Sequence, residues 1–421
     1  MLRILPFKGI IYNKEKVGDV SKVVAPPYDV ISPSEQDFYY KLHPYNIIRI
    51  ILGKEKKGDN LRENKYTRAA QFFHNWVYQG VLIKEKLPSI YLYHQRYRVD
   101  DRVVERKGFI SLMKLEDFRS GVVFPHEQVF PEPQEDRLNL LRTCSANFSA
   151  VFSLFSDPER KIDSLCMEEE TIFEFEDSAG VKHRLFAIRD KKVIEEICIC
   201  MQKKKVFIAD GHHRYLTALR FREEVKKSSY SLPGADYIMM YFLNMDSGGV
   251  TILPVHRLIG GLDLVQTEEF VKKMEKFFYK KPFREHEDEK ITGKRLLSQL
   301  ERGECLFGIY TKNGGYYLLF PKKPQIFSKK IKSAILDDIL KGLLKKGELR
   351  KGEDIYFTTS SFEAVDKVKK GVFQVAFFLA PTKIEEVRDV ALSGGKMPPK
   401  STYFYPKLWS GILIRELKDA F

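Results

Sequence analysis

Lys205-Val206-Phe207-Ile208-Ala209-Asp210-Gly211-His212-His213-Arg214-Tyr215-Leu216-Thr217-Ala218-Leu219-Arg220-Phe221-Arg222 is the stretch around which the chain is organised. Val206 to Ala209 is short, apolar, partly β-branched and aromatic, and it runs out at a glycine, the pattern of a buried strand. Tyr215, Ala218, Leu219 and Arg222 then recur at helical spacing, so the order is strand, tight turn, helix. That order places Gly211, His212, His213 and Arg214 at a helix entry. There, unpaired backbone N–H groups and the positive dipole end favour an anion such as a phosphate. Gly211 lets the backbone approach closely, Arg214 offers a forked pair of donors, and the two histidines are donors or metal ligands. Asp210 would repel a phosphate unless a cation sits between them, which makes it the candidate catalytic carboxylate and Mg²⁺ ligand. The competing reading has Asp210 capping the helix and the histidines making local hydrogen bonds.

Bulk properties bound the rest. The 421 residues are 43% hydrophobic and 30% charged, the profile of a soluble globular protein with one large core or two to three smaller ones. A net charge of +14, from 71 basic and 57 acidic residues, attracts polyanions, and a nucleotide and a nucleic acid both qualify. The lysines are interleaved with glutamates, as on solvated helix faces, so nucleic acid is the less favoured partner. An odd number of cysteines, five, without a Cys-x-x-Cys pair indicates neither a disulfide framework nor a zinc ribbon and suits a reducing cytosol. With no signal peptide and no apolar run of about 18 residues, the expectation is a cytoplasmic protein without a membrane partner. Oligomeric state is left open, a homo-oligomer included.

Four stretches together resemble one family. They are Ala209 to Leu219, Ala25-Pro26-Pro27-Tyr28-Asp29-Val30-Ile31, Leu253-Pro254-Val255-His256-Arg257, and Met397-Pro398-Pro399-Lys400-Ser401-Thr402-Tyr403-Phe404-Tyr405-Pro406-Lys407. The pattern resembles the signature of the family of unknown function number 1015, nearly end to end. Its Asp-Gly-His-His-Arg stretch is similar to that of the ATP- or ADP-dependent free serine kinases. The resemblance implies a mixed α/β (α+β) fold with a ParB/sulfiredoxin-like core. It also implies phosphoryl transfer from ATP or ADP, with Mg²⁺, to a small hydroxyl substrate such as L-serine, giving O-phosphoserine. A nucleotide-regulated, ParB-like DNA-binding module is the alternative; no helix-turn-helix pattern supports it. Redox repair of the sulfiredoxin kind needs a cysteine in the phosphate turn, where His212 and His213 stand instead.

Residues 121 to 155 are the second chemical stretch, with His126-Glu127, Asp136-Arg137-Leu138 and Asn147. The family resemblance carries these positions over, Arg137 and Asn147 as substrate-binding candidates. Glu127 is the candidate general base, because deprotonating a hydroxyl for in-line attack on a phosphoryl group needs a carboxylate at hydrogen-bond range, and His126 is placed to orient it. The competing reading pairs Glu127 with Arg137 or Arg142 structurally. Phe130 stands where the second histidine of His-Glu-x-x-His would fall, which excludes a zinc-protease motif.

The remaining segments fill in the organisation. The prolines of Ala25 to Ile31 fix a rigid loop in which Tyr28 and Asp29 either line a pocket or serve the turn. Asn46 to Ile51 reads as a strand, with Arg49 either a substrate contact or an exposed side chain. Tyr66 to Gly80 is an amphipathic helix, and 90–115 and 172–188 are hairpins turned at Asp100-Asp101 and at Asp177 to Gly180. Lysine-rich helices over 267–279, 291–300 and 331–344 and a hairpin over 306–320 form a peripheral region. Gly371 to Ala380 is an apolar strand returning to the core, followed by a helix over 384–392. The expected domains are therefore 1–260, a catalytic core; 261–370, a peripheral α+β region; and 371–421, a C-terminal return. In the last motif Lys400, Ser401 and Thr402 are candidate substrate or phosphate contacts on a short, rigid, cationic segment. Pro399 rules out a P-loop there, because it lacks the N–H that loop requires.

Overall fold

Apolar residues run through a series of segments that pair into one nine-stranded sheet among the described residues. They are β1 (Ile4–Leu5), β2 (Ile90–Val99), β3 (Arg102–Lys114), β4 (Val123–Phe124), β5 (Val151–Phe155), β6 (Thr171–Glu176), β7 (Lys182–Ile188), β8 (Val206–Asp210) and β9 (Tyr237–Asn244). Their order across the sheet is β4-β8-β5-β9-β3-β2-β7-β6, with β1 pairing on β3. β8 runs parallel to β4 and antiparallel to β5, while β5 runs parallel to β9, so the sheet is mixed. The computed structural model describes every residue except 128–130, 169, 230, 328–329, 345–349, 351 and 420–421.

The fold is mixed α/β. Its helices in this part of the chain include α1 (Pro33–Leu42), α2 (Ile48–Ile51), α3 (Lys65–Tyr78), α4 (Pro131–Cys144), α5 (Lys191–Met201) and α6 (His212–Lys227). α3 starts at Asn64, whose side chain accepts from the N–H groups of Tyr66 and Thr67, and it buries Ala69, Ala70, Phe73 and Trp76 along one face. The core between sheet and helices includes Leu92, Phe109, Phe155, Ile208, Tyr215 and Phe242, each 2% exposed or less. Because β8 and the first turns of α6 are built into that core, the turn between them is held from both sides.

The expected strand at Asn46 to Ile51 is instead the short helix α2. Asn46 is fully buried. Its side chain donates to the carbonyls of Lys22 (2.7 Å) and Val24 (3.1 Å) and accepts from the Ile48 N–H (2.9 Å), which satisfies the first turn. Ile47, Ile48, Ile50 and Ile51 are all buried, and a run this short, with Asn46 and Arg49 its only polar positions, carries no period to separate helix from strand.

Among the described residues the chain divides into two compact units, 1–250 with 406–421, and 251–405. The second contains a six-stranded sheet of β10 (His256–Ile259), β11 (Phe278–Pro282), β12 (Phe307–Thr311), β13 (Gly315–Pro321), β14 (Ile355–Thr358) and β15 (Val375–Phe378), in the order β11-β13-β12-β15-β10-β14. Its helices include α7 (Leu264–Met274), α8 (Glu289–Glu301), α9 (Lys332–Leu344), α10 (Ser361–Lys369) and α11 (Ile384–Leu392). The division thus falls after residues 250 and 405, where the sequence suggests limits after 260 and 370. β15, read as a return to the first core, pairs with β12 and β10 of the second sheet. Apolar strands of the two units look alike in composition, so only pairing reveals which sheet each joins. Among the described residues no helix is long and apolar enough to cross a membrane. The five cysteines are free thiols.

Candidate functional site

β8 delivers the site. Its pairing with β5 shifts register between Ile208 and Asp210, so the strand is bulged where its last residue turns toward the helix. Gly211 follows at φ 92°, the left-handed conformation that side chains disfavour. A Cβ there would also lie 2.8 Å from Arg214 Nη2 and 2.9 Å from its Nε. Glycine is therefore required twice, by its backbone and by the guanidinium packed over it. α6 then begins with His212, His213 and Arg214 in its first turn, where N–H groups have no partner within the helix.

Asp210 is the electrostatic hub. Arg214 Nη2 meets its Oδ2 at 2.9 Å, and Lys407 Nζ bonds its Oδ1. Arg214 also donates from Nη1 to Ser149 Oγ (3.0 Å) and to the Ala150 carbonyl (2.6 Å). Burial by itself pushes the Asp210 carboxyl up, but the charges of Lys407 and Arg214 outweigh it and hold the group well below the ordinary carboxylate range. Lys407 is in turn fixed through its backbone: Gln95 Nε2 donates to the Lys407 carbonyl at 3.0 Å, and Arg106 Nη2 to the Pro406 carbonyl at 2.5 Å. Gln95 and Arg106 are both fully buried and bond each other.

Two histidines link this hub to Glu127. The His126 backbone N–H donates to His212 Nε2 at 3.3 Å, so a neutral His212 carries its proton on Nδ1. That nitrogen faces Glu127 Oε2 across 3.6 Å. The His126 ring donates from Nδ1 to the Ile208 carbonyl at 2.8 Å, and the two imidazoles meet edge to face at 4.7 Å. Burial drives both rings down to about 3, His126 further through the neighbouring His212, and His212 against the opposing pull of Asp210. Both are neutral near pH 7 and position their neighbours without adding charge.

The other expected residues divide. Arg137 lies with its guanidinium 3.9 Å above the Tyr28 ring and donates to Asp136 Oδ2 (2.9 Å, from Nε) and the Ile51 carbonyl (2.8 Å). Burial pushes the Tyr28 phenol up to about 12, against the pull of Arg137, so it stays a neutral donor. Tyr28, Arg137, Asn147, Ser149, Arg214 and Thr217 contribute to the wall of one cavity of about 70 Å³ beside the Asp210 hub. Asn147 accepts from the Met239 N–H at 3.3 Å. Arg49 lines none of this; it donates to the Tyr40 carbonyl (2.7 Å) and lies 4.6 Å over the Tyr40 ring. Lys400, Ser401 and Thr402 belong to the second unit, where Ser401 accepts from Ser333 Oγ at 2.8 Å and Lys400 takes φ 59°. Phe130 lies outside the described residues. Sequence reasoning missed Lys407, although it closes the motif that was quoted, and it missed Gln95, Arg106 and Ser149, for which no local signal exists.

A magnesium ion does not fit at Asp210 as the residues stand, because each carboxylate oxygen carries a cationic partner. Among the described residues no cluster of three or more His, Cys, Asp or Glu side chains is arranged to hold a metal.

Fold and site together define a mixed α/β protein in which a helix N-terminus, two cations and a carboxylate converge after one buried strand. The chain belongs to the family described as Protein of unknown function (DUF1015), whose model matches residues 4–343. Among solved structures it is similar to a free serine kinase in complex with AMP, at 15% identity and a TM-score of 0.37, over 70% of this chain and 86% of that one. It is also similar to a conserved hypothetical protein from Pyrococcus furiosus, at 17% identity and TM-score 0.37, over 74% and 97% of the two chains. A third is SbnI with a C-terminal truncation, from Staphylococcus aureus, at 8% identity and TM-score 0.37, over 71% and 84%. Comparison with curated proteins finds no match.

Proposed function

We propose that the chain is a small-molecule kinase that moves a phosphoryl group from ATP or ADP to a free hydroxyl, with L-serine the first acceptor to test. One observation carries the reading: Glu127 stands 3.6 Å from His212 Nδ1, so a carboxylate base lies against the first turn of the same helix whose open N–H groups and Arg214 suit an anion. In this reading the α6 N-terminus and Arg214 receive the nucleotide's terminal phosphates. Glu127 accepts the hydroxyl proton as the acceptor oxygen bonds to the terminal phosphorus. The bond from that phosphorus to its bridging oxygen breaks, releasing a nucleotide one phosphoryl shorter and the phosphate ester. His212 faces the Glu127 carboxylate across 3.6 Å, and Lys407 holds Asp210. A divalent ion, where present, supplies charge neutralisation to the nucleotide's phosphates.

The test is incubation of the purified protein with Mg²⁺, ATP or ADP, and a panel of hydroxyl compounds headed by L-serine, with products identified by mass. A phosphorylated product that disappears in Asp210→Ala and Arg214→Ala supports the reading. No product with any acceptor, together with salt-sensitive binding of duplex DNA, rejects it in favour of the nucleotide-regulated binding module.

A further inference from the structure

The second unit holds a polar cavity of its own, whose wall includes Arg257, Lys332, Ser333, Thr382, Glu386 and Ser401. The sequence motifs Val255-His256-Arg257 and Lys400-Ser401-Thr402, left without a role in the first unit, both come to it or beside it. Arg257 is fully buried. Its Nε donates to Asp337 Oδ1 at 2.6 Å and its Nη1 to the Val255 carbonyl at 3.0 Å, while Nη2 has no hydrogen-bond partner among the described residues. A buried guanidinium N–H without an acceptor is costly, and an oxygen atom seated against it removes that cost.

The surroundings point the same way. Lys332 and Ser333 open the 13-residue helix α9, so its positive end faces the cavity wall they form. Ser333 Oγ donates to Ser401 Oγ at 2.8 Å, Ser401 Oγ to the Pro398 carbonyl at 2.7 Å, and Thr382 Oγ1 to the Ser401 carbonyl at 2.8 Å. This relay pins the proline-flanked segment against the helix start and fixes the cavity's shape. The free volume is about 10 Å³, room for a single oxygen-sized atom. Burial lowers the Lys332 ammonium from its ordinary value, opposed by Glu386.

We propose that this cavity binds the carboxylate group of a small molecule, one oxygen seated against Arg257 and the rest of the group in the mouth beside Lys332. The side-chain charges around the cavity balance, Arg257 and Lys332 against Asp337 and Glu386, so the pull on an anion comes from the unpartnered Nη2 and the start of α9, and the single charge of a carboxylate is opposed less than the two of a phosphate. The site stands apart from the kinase reading and does not depend on it.

Isothermal titration of the full-length chain with acetate and, separately, inorganic phosphate tests it. Saturable acetate binding is expected, weakened about tenfold or more in Lys332→Met, lost in Arg257→Met, and unchanged in Arg214→Ala. If Arg257→Met fails to fold, Lys332→Met and a cavity-filling Ser401→Val carry the test alone. Absence of saturable acetate binding, acetate binding indifferent to Lys332→Met, or acetate binding lost in Arg214→Ala would each overturn the site. Phosphate bound more tightly than acetate would overturn its preference for a carboxylate.

Discussion

Lys407 reaches Asp210 across 197 residues of sequence, its Nζ on Oδ1 while Arg214 takes Oδ2 at 2.9 Å. One carboxylate thereby fixes two cations, one from the next helical turn and one from near the C-terminus. The folded carboxyl sits below its ordinary 3.8, so above about pH 4 the charged form stabilises the fold, and that contribution is lost as acid protonates it. Lys407→Met removes the strongest cause of the depression. The variant should lose up to about 3 kcal/mol at pH 7, and its acid-unfolding midpoint should move to higher pH. Urea titrations at pH 7 and a pH titration of circular dichroism read both. An acid midpoint identical to wild type would show that Lys407 does not hold Asp210 ionised.

Glu127→Gln keeps an oxygen to face His212 Nδ1 but cannot accept a proton. Turnover should fall by roughly 10²–10⁴ while nucleotide affinity stays within about threefold, and the melting temperature should hardly move. Initial rates and nucleotide titrations separate the two. If the variant instead unfolds, Glu127 is a structural partner of its neighbours.

Gly211→Ala places a Cβ 2.8 Å from the Arg214 guanidinium on a backbone at φ 92°. The strained backbone costs about 1–2 kcal/mol, and Arg214 must leave Ser149 and Asp210 to make room. A lowered melting temperature together with weakened nucleotide binding is expected; normal binding in a stable variant would mean that Arg214 can move without consequence.

Much of this was legible where the signal is local. The five residues of β8, the glycine at φ 92° and the helical spacing from Tyr215 onward lie within one stretch, so the strand, turn and helix could be placed from residue types alone. The hairpin of β2 and β3 turns at Asp100-Asp101, as its composition suggested. Asn46 misled, because a buried amide that caps a turn looks in sequence like a polar break in a strand. Lys407 was out of reach for a different reason. What makes it a partner of Asp210 is the seating of its backbone by Gln95 and Arg106, two buried polar residues on neighbouring strands that no periodicity marks. The boundary after 405 was hidden in the same way, since Met397 to Lys407 reads as one motif but is shared by two units.

His126 and His212 give the molecule a further pH dependence above that of Asp210. Burial holds each folded ring at about 3, whereas the unfolded chain protonates near 6.5. Between those values the unfolded state binds protons that the folded state refuses, so stability is fully present above about pH 6.5 and falls as pH drops, by about 1.4 kcal/mol per pH unit for each ring. In His126→Gln the amide can still donate to the Ile208 carbonyl, but one proton-binding site is gone from the unfolded chain. Urea midpoints at pH 7, 6 and 5 should therefore decline less steeply in the variant than in wild type, even if the variant is weaker at pH 7. A slope equal to wild type would mean that the folded protein protonates His126 as readily as the unfolded chain does, and the neutral pair assigned to His126 and His212 would have to be abandoned.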